Sequence, residues 1–249
     1  MERIVVLTGA GVSAESGLGT FRDPGGVWTR YDLREVATPE GFARNPDLVH
    51  DFYNDRRAQA CAASPNAAHY AIARLQAGLA LRGGEAFLVT QNVDSLHEAA
   101  GSVQVSHMHG RLDRARCLAC GVSRPIDGGL FRADACASCG RPGGMRPDIV
   151  WFGEVPFGME EIEARLASCT LFVSAGTSGA VYPAAGFVRL ARRAGARTIE
   201  LNLEASETAP DFHEARYGLA SVVIPAWVDE VLSSSSARAR SMSSSLHPK

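Results

Sequence analysis

The sequence predicts an α/β fold built on a doubly wound parallel sheet, with a smaller domain beside it. Three observations lead there. The runs Ile4-Val5-Val6-Leu7, Phe87-Leu88-Val89 and Leu171-Phe172-Val173 are almost purely apolar, as strands covered on both faces must be. Helical patterns separate them, and strands alternating with helices make a parallel sheet. The first run also passes directly into Gly9-Ala10-Gly11-Val12-Ser13-Ala14. That is the G-x-G-x-x-G/A pattern of a Rossmann-like fold: a tight turn, close backbone approach to a pyrophosphate, and a helix N-terminus aimed at the anion. An ordinary glycine-rich turn is the competing reading of the loop; its place after a strand favours a dinucleotide.

Along the chain, residues 31–75 hold helical patterns and no convincing strand. Ser64-Pro65 predicts the start of a helix with Ala68, Ile72, Leu75 and Leu79 on one stripe. Weaker strands are expected at Val103-Gln104-Val105, Thr198-Ile199-Glu200-Leu201 and Ser221-Val222-Val223-Ile224, and a helix over 182–194. Residues 112–146 are poor in large apolar side chains. The resulting division places a Rossmann-like dinucleotide-binding domain at 1–30, 76–111 and 147–232. A helical module (31–75) and a zinc-binding module (112–146) form the small domain, and the Ser-rich stretch 233–249 reads as a disordered tail.

Composition excludes several classes. The 249 residues carry 25 Lys+Arg against 27 Asp+Glu, a net charge of −2, which gives no electrostatic footprint for nucleic acid. No apolar run approaches the ~18 residues of a membrane span. The apolar stretch before Thr8-Gly9 is too short for a secretory core, so a cytoplasmic protein is expected. With Gly9 so near the start, no room is expected for an extra N-terminal regulatory segment. An ordinary dehydrogenase is also disfavoured. It would need a second strand ending in an acidic residue about 20 positions on; here Phe21-Arg22-Asp23-Pro24-Gly25-Gly26 follows, and no strand comes before Phe87.

The cysteines point to a metal. Cys117-x2-Cys120 and Cys136-x2-Cys139 are separated by 15 residues, the spacing of a tetrahedral zinc site. Four thiolates leave no open position, so one structural Zn2+ is expected, stabilising a segment with too little apolar surface to fold alone. Two disulfides or a nucleic-acid-binding ribbon are the competing readings. The ribbon has arginines but only Phe131 for stacking.

Polar residues follow each predicted strand: Thr90-Gln91-Asn92-Val93-Asp94, Ser174-Ala175-Gly176-Thr177-Ser178 and Asn202-Leu203-Glu204. In an open α/β sheet these strand ends converge on one crevice. Together with Gly9 to Gly17, Phe21-Arg22, His109-Gly110, the paired cysteines and Ile149-Val150-Trp151-Phe152-Gly153-Glu154, they resemble the sirtuins, NAD-dependent protein-lysine deacylases. The motifs stand in that family's order from residue 9 to about 224.

The resemblance implies roles residue by residue. Gly9, Ala10, Gly11, Ser13, Glu15 and Gly17, with Gly176, Thr177 and Ser178, would hold the phosphates and riboses of NAD. Phe21 would shield the reacting carbon and Arg22 would position the cofactor. Gln91, Asn92, Val93 and Asp94 would line the nicotinamide and ribose pocket. Asn202, Leu203, Glu204 and Ala220 would hold the adenosine end. Phe152, Gly153 and Glu154, with Val181 and Tyr182, would pair with a substrate peptide as an added strand. Asn92 and His109 would be catalytic. In the implied reaction the acyl oxygen displaces nicotinamide, His109 takes a ribose proton as general base, and lysine and O-acyl-ADP-ribose are released.

Residues 45–57 add a specificity reading. Asn45-Pro46 predicts a helix start. At ~100° per residue, Leu48, Val49 and Phe52 mark the inward arc. Arg56 falls inside that arc, Tyr53 on its flank, and Arg57 well outside. An inward arginine must meet an anion or a wet cleft. Tyr53-x-x-Arg56 resembles the pair that reads succinyl- and malonyl-lysine in the deacylase branch. The expected activity is therefore removal of succinyl, malonyl and also acetyl groups from protein lysines by a monomer. A deacetylase without acidic preference and an ADP-ribosyltransferase or NAD-binding regulatory module are the alternatives; for Tyr53 and Arg56 they are a surface pair or Arg56 bound to a carboxylate of the protein itself.

Overall fold

The computed structural model describes residues 1–19 and 31–244, with side chains as far as Ser234. Its centre is a six-stranded parallel sheet. In chain order the first elements are β1 (Arg3–Thr8), a short α1 (Ala10–Ala14), α2 (Leu33–Val36), α3 (Pro39–Arg44), α4 (Pro46–Ala62), α5 (Ala67–Ala80) and β2 (Glu85–Thr90). Then come α6 (Leu96–Ala99), β3 (Ser106–His107), β4 (Gly110–Cys117), β5 (Ser123–Pro125), β6 (Met145–Ile149), α7 (Met159–Ser168) and β7 (Leu171–Ala175). The chain ends with α8 (Phe187–Arg193), β8 (Arg197–Asn202), β9 (Glu214–Tyr217) and α9 (Ala220–Ser244).

The large sheet has the order β3-β2-β1-β7-β8-β9, so the direction of winding reverses between β1 and β7. Val5 lies opposite Phe87 on one side and Phe172 on the other. The middle of β1 is buried throughout because helices cover both faces. On one face Ile4, Val6, Leu88 and Ile199 pack with Ile72, Leu75 and Leu79 of α5 and with Ile224, Trp227 and Val228 of α9. On the other, Val5, Leu7, Phe87 and Phe172 pack with Ile162 and Leu166 of α7 and with Phe187 and Val188 of α8. Continuous apolar strands are the sequence signature of this double burial.

The small domain has two parts. An antiparallel sheet of order β5-β4-β6 carries the cysteines. Against it pack α2, α3 and α4, each opened by a side-chain cap: Asp32 accepts from Arg34 N, Thr38 from Gly41 N and Asn45 from Leu48 N. Val36, Phe42, Val49, Phe52, Tyr53, Leu112, Ile149 and Trp151 form their shared core. The ribbon's own core is smaller, with Ala115, Leu130 and Met145 around Cys117 and Cys136.

Several sequence expectations are corrected. Helix α5 is capped by Asn66, whose side chain accepts from Ala68 N, rather than by Ser64-Pro65. The helix belongs wholly to the large-sheet core, so the boundary at 75/76 would cut it. Likewise β4 and β6 pair with each other, which carries the zinc module out to 110–149. The strand expected at 103–105 is β3 at Ser106–His107, because Gln104 adopts a left-handed φ of 54° that no strand continues through. Ser221-Val222-Val223-Ile224 is helical; Ile224, Trp227, Val228 and Val231 recur with helical spacing on one face. Helix α9 runs on through 233–244, which the sequence reading assigns to a disordered tail; serine, alanine and arginine extend a helix already nucleated by its docked first half.

Candidate active site

The reversal between β1 and β7 is where an open α/β sheet forms its ligand crevice, and a cleft of about 810 Å³ opens there. The two loops that meet at this point interlock through backbone alone. Gly9 N donates to Ala175 O at 3.0 Å, and Gly11 N to Gly176 O at 2.9 Å. A Cβ on Gly11 would stand 2.9 Å from Gly176 Cα and from its carbonyl oxygen. Gly176 itself has φ +61°, a left-handed turn suited to glycine. A wall of bare backbone results, fitted to an extended phosphate-bearing ligand.

Behind that wall lies a buried polar network. Asn92 Nδ2 donates to Gly9 O at 3.1 Å and to Ser13 Oγ at 3.0 Å, so both amide hydrogens serve the protein and its Oδ1 is the group offered to a ligand. Ser13 donates to Asp94 Oδ2 at 3.0 Å, and Leu96 N donates to Asp94 Oδ1 at 3.1 Å. Beneath them, Thr8 and Thr90 hydroxyls meet at 2.8 Å, and His97 Nε2 stands 2.9 Å from Thr8 Oγ1. Asn66 N donates to His69 Nδ1, which leaves His69 Nε2–H facing Ser13 Oγ at 3.4 Å. Burial pushes the pKa of His69 down to about 4 and of His97 to about 3, so both are neutral and rigid parts of the scaffold. Sequence reasoning missed this layer; the one signal was Asn66 at capping distance before His69.

His109 follows β3 and lines the cleft. Its Nδ1 lies 3.1 Å from Gln91 O, so Nδ1 carries the proton and Nε2 presents a lone pair. Burial lowers its pKa, opposed by that carbonyl. A neutral imidazole with a free Nε2 is the form a general base requires. Its neighbour His107 bonds Asn92 O at 3.2 Å and Glu98 Oε1 at 2.7 Å. The two histidines thereby fix successive carbonyls of the 91–92 segment.

The cleft gathers most of the expected set: Gly9, Ala10, Gly11, Ser13, Glu15, Gln91, Asn92, Val93, Asp94 and His109 near β1 and β2. From β7, β8 and α9 come Gly176, Thr177, Ser178, Asn202, Leu203, Glu204 and Ala220. Asn202 Nδ2 donates to Thr177 O at 2.8 Å and ties two of these loops together. Gly17 is an exception, for it does not line the cleft; at φ +85° it turns the chain out of α1. The Glu15 carboxylate accepts from Ser221 N and Oγ at 2.9 and 2.7 Å, anchoring α1 to α9. Phe21 and Arg22 lie outside the described residues.

The opposite wall belongs to the small domain. Tyr53 and Arg56 both face the cleft, beside Ala37, Val93, Leu112 and Ile149. Tyr53 is buried, and burial holds its phenol well above the ordinary range. Burial also draws the Arg56 guanidinium down, opposed by the charges of Tyr53 and Asp94. Arg57, expected to point away, is instead 4% exposed. It donates to Leu112 O at 2.5 Å, Asn54 Oδ1 at 2.7 Å and Gly128 O at 3.2 Å, because the cysteine ribbon packs on that side of α4.

Phe152, Gly153, Glu154, Val181 and Tyr182 line the mouth. Phe152 and Tyr182 are exposed. The Glu154 carboxylate turns to Arg146, at 2.6 and 2.9 Å. Trp151, given no role from sequence, donates its indole N–H to Tyr53 OH at 3.0 Å.

Away from the cleft, the Sγ atoms of Cys117, Cys120, Cys136 and Cys139 lie within 4.8 Å of one another. Cys117 and Cys139 are 3.8 Å apart, and Cys120 and Cys136 3.7 Å. Tetrahedral zinc with bonds of ~2.3 Å needs sulfurs roughly 3.8 Å apart. The set fits zinc, and closed four-thiolate ligation makes it structural. No helix among the described residues is long and apolar enough to cross a membrane.

Comparison with known proteins agrees with this geometry. The model of the Sir2 family matches residues 9–183. An NAD-dependent protein deacylase of Caulobacter vibrioides is 61% identical over 230 residues, covering 92% of this chain and 97% of the relative. Among solved structures, a Sir2 homologue in complex with NAD superposes with a TM-score of 0.83 at 36% identity, covering 93% of this chain and 90% of that one. A Sir2 protein bound to acetylated peptide gives 0.76 at 25% identity, covering 94% and 93%.

Proposed function

This chain belongs to the Sir2 family and is an NAD-dependent protein deacylase, and from that premise we propose that it removes succinyl and malonyl groups from protein lysines, and acetyl groups as well. The observation that carries the acyl preference is the placement of Tyr53 and Arg56 together in the cleft that also holds His109, beside Ala37, Leu112 and Ile149. A guanidinium and a phenol make a pair of donors suited to a carboxylate at the end of an acyl chain. An acetyl group would use neither.

Bound NAD supplies an electrophilic sugar carbon with nicotinamide as its leaving group. The loops at Gly9–Gly11 and Gly176–Ser178 hold the diphosphate and riboses, and Asn202 to Glu204 with Ala220 hold the adenosine end. Asn92 orients the reacting ribose through its free Oδ1. His109, with Nδ1–H held by Gln91 O, accepts the ribose hydroxyl proton at Nε2. The acylated peptide lies across the mouth between Phe152–Glu154 and Val181–Tyr182. It is held by backbone, consistent with the turn of the Glu154 carboxylate to Arg146. Cys117, Cys120, Cys136 and Cys139 would hold zinc, which would stabilise the ribbon and take no part in the chemistry.

The test is a rate comparison on one peptide carrying acetyl-, malonyl- or succinyl-lysine with NAD, using the natural protein and Arg56→Met. Loss of a charge-assisted hydrogen bond predicts a fall of about 10- to 100-fold in kcat/KM on the two acidic acyl groups relative to acetyl. Equal losses on all three would refute the specificity role and leave a general deacetylase. Nicotinamide release that ignores acyl-peptide would point to ADP-ribosyl transfer instead.

A further inference from the structure

We infer that Trp151 is a specificity-determining positioning residue: its indole N–H, locked by Arg146 and Glu154, commits the Tyr53 hydroxyl to donate its proton into the cleft. The inference rests on the acidic-acyl reading above and deepens it. An indole nitrogen can only donate. At 3.0 Å from Tyr53 OH, it occupies an acceptor direction of the phenol oxygen, so the phenol proton cannot point that way. The indole is the one hydrogen-bond partner of this hydroxyl among the described residues. A Tyr53 proton turned away from Trp151 faces the space that Arg56 also faces.

The indole has little freedom to turn. The Arg146 guanidinium carbon lies 3.3 Å from the ring centroid. Arg146 is 4% exposed and is fixed by both Glu154 oxygens and by Ile149 O at 2.6 Å. Glu154 also accepts from Trp151 N at 2.8 Å, so one ion pair grips the backbone and the ring of the same residue. Phe42 flanks the ring at 5.3 Å. A buried ion pair is costly to desolvate and adds little net stability; here it fixes the polarity of a ligand-binding hydroxyl.

The consequence is that Tyr53, like Arg56, meets a ligand in the cleft as a donor. A phenol free to rotate could accept from an amide or a hydroxyl of a ligand. With Trp151 in place, Tyr53 and Arg56 both offer protons, and the group they suit is one with acceptors alone. The substrate class is acyl-lysine ending in carboxylate, as against the isosteric terminal carboxamide, whose NH2 would face a donor.

Two measurements test this. In the natural protein, a peptide carrying succinyl-lysine is compared with the same peptide carrying its terminal-carboxamide analogue. The pocket predicts a KM at least about tenfold higher for the amide, and equal KM values overturn the inference. In Trp151→Phe, which keeps an aromatic ring against Arg146 and removes the donor, KM for succinyl peptide is expected to rise about fivefold to tenfold relative to acetyl peptide. The ratio of kcat values should stay the same. In a Tyr53→Phe background the same replacement should add no further loss. An unchanged KM ratio, or an equal loss without the Tyr53 hydroxyl, shows that Trp151 acts by packing alone and overturns the inference. Arg56→Met separates the two levels. If it too leaves the succinyl-to-acetyl ratio unchanged, the acidic-acyl reading fails; if it lowers that ratio while Trp151→Phe does not, only the role of Trp151 fails.

Discussion

One wall of the cleft is made from loops of a sheet whose strands are buried on both faces, and it presents Gly9, Gly11 and Gly176. The other is made from one helix and a small antiparallel sheet, and it presents Tyr53, Arg56 and Trp151. The first is held by two large apolar cores and offers mostly backbone. The second has a ribbon core that includes two of the cysteines themselves, and it offers side chains. On the proposed function, the backbone wall would receive the phosphates independent of the acyl group. Side chains on a helix can be exchanged without disturbing the sheet. On that proposal the division would separate what every deacylation shares from what selects the acyl group.

Stripping zinc is the harshest way to break this comparison. With its thiolates unligated, the ribbon loses most of what holds it, and Arg57 loses its partners at Leu112 and Gly128. Acyl-peptide turnover is expected to vanish while calorimetry still detects ADP-ribose binding on the sheet side. Loss of both would mean that the walls are not independent.

Replacing His109 by Ala comes next. Removal of a general base predicts a fall of about 10²- to 10⁴-fold in kcat, the same for acetyl, malonyl and succinyl peptides. A fall confined to one acyl group would place His109 with the selecting wall. As the proposed general base, the same residue would set the acid side of the pH profile. Burial depresses its pKa, so the basic form is present at neutral pH and is lost as pH falls through the lowered value. The acid limb should therefore lie below the ordinary histidine range.

The mildest of the three is Gly11→Ala, whose Cβ would crowd Gly176 at 2.9 Å. Overpacking of this kind costs about 1–3 kcal/mol. Thermal unfolding should shift down accordingly, and KM for NAD should rise to the same extent with each acyl peptide. A change in acyl preference would contradict the division.

The sheet wall was the more legible in the sequence, for a physical reason. Strands buried on both faces read as unbroken apolar runs, so β1, β2 and β7 stand out, and the Gly9–Gly11 pattern follows one of them. Edge and surface elements lack that signal. Strand β9, Glu214–Tyr217, carries charged residues and gives no apolar run. The triplet Val222-Val223-Ile224 looks like a strand until Trp227 and Val228 are counted with it. The selecting wall was half legible. Helical geometry turned Tyr53 and Arg56 inward, but it left Arg57 in solvent, since its partner Gly128 is 71 residues away in sequence. The bond from Trp151 to Tyr53 spans 98 residues, and no local pattern announces it. The His69–Ser13 and His97–Thr8 contacts are hidden in the same way.

The interlock of Gly9 and Gly11 with Gly176 sets bounds on how this enzyme can be remodelled. A β-carbon at any of the three would wedge apart the loops that join the two halves of the sheet, so variation there is penalised before any substrate arrives. Tyr53 and Arg56, the cleft-facing residues of α4, take no part in that interlock. A library aimed at new acyl groups is best confined to that helix and the indole behind it, leaving nucleotide capture as a fixed inheritance.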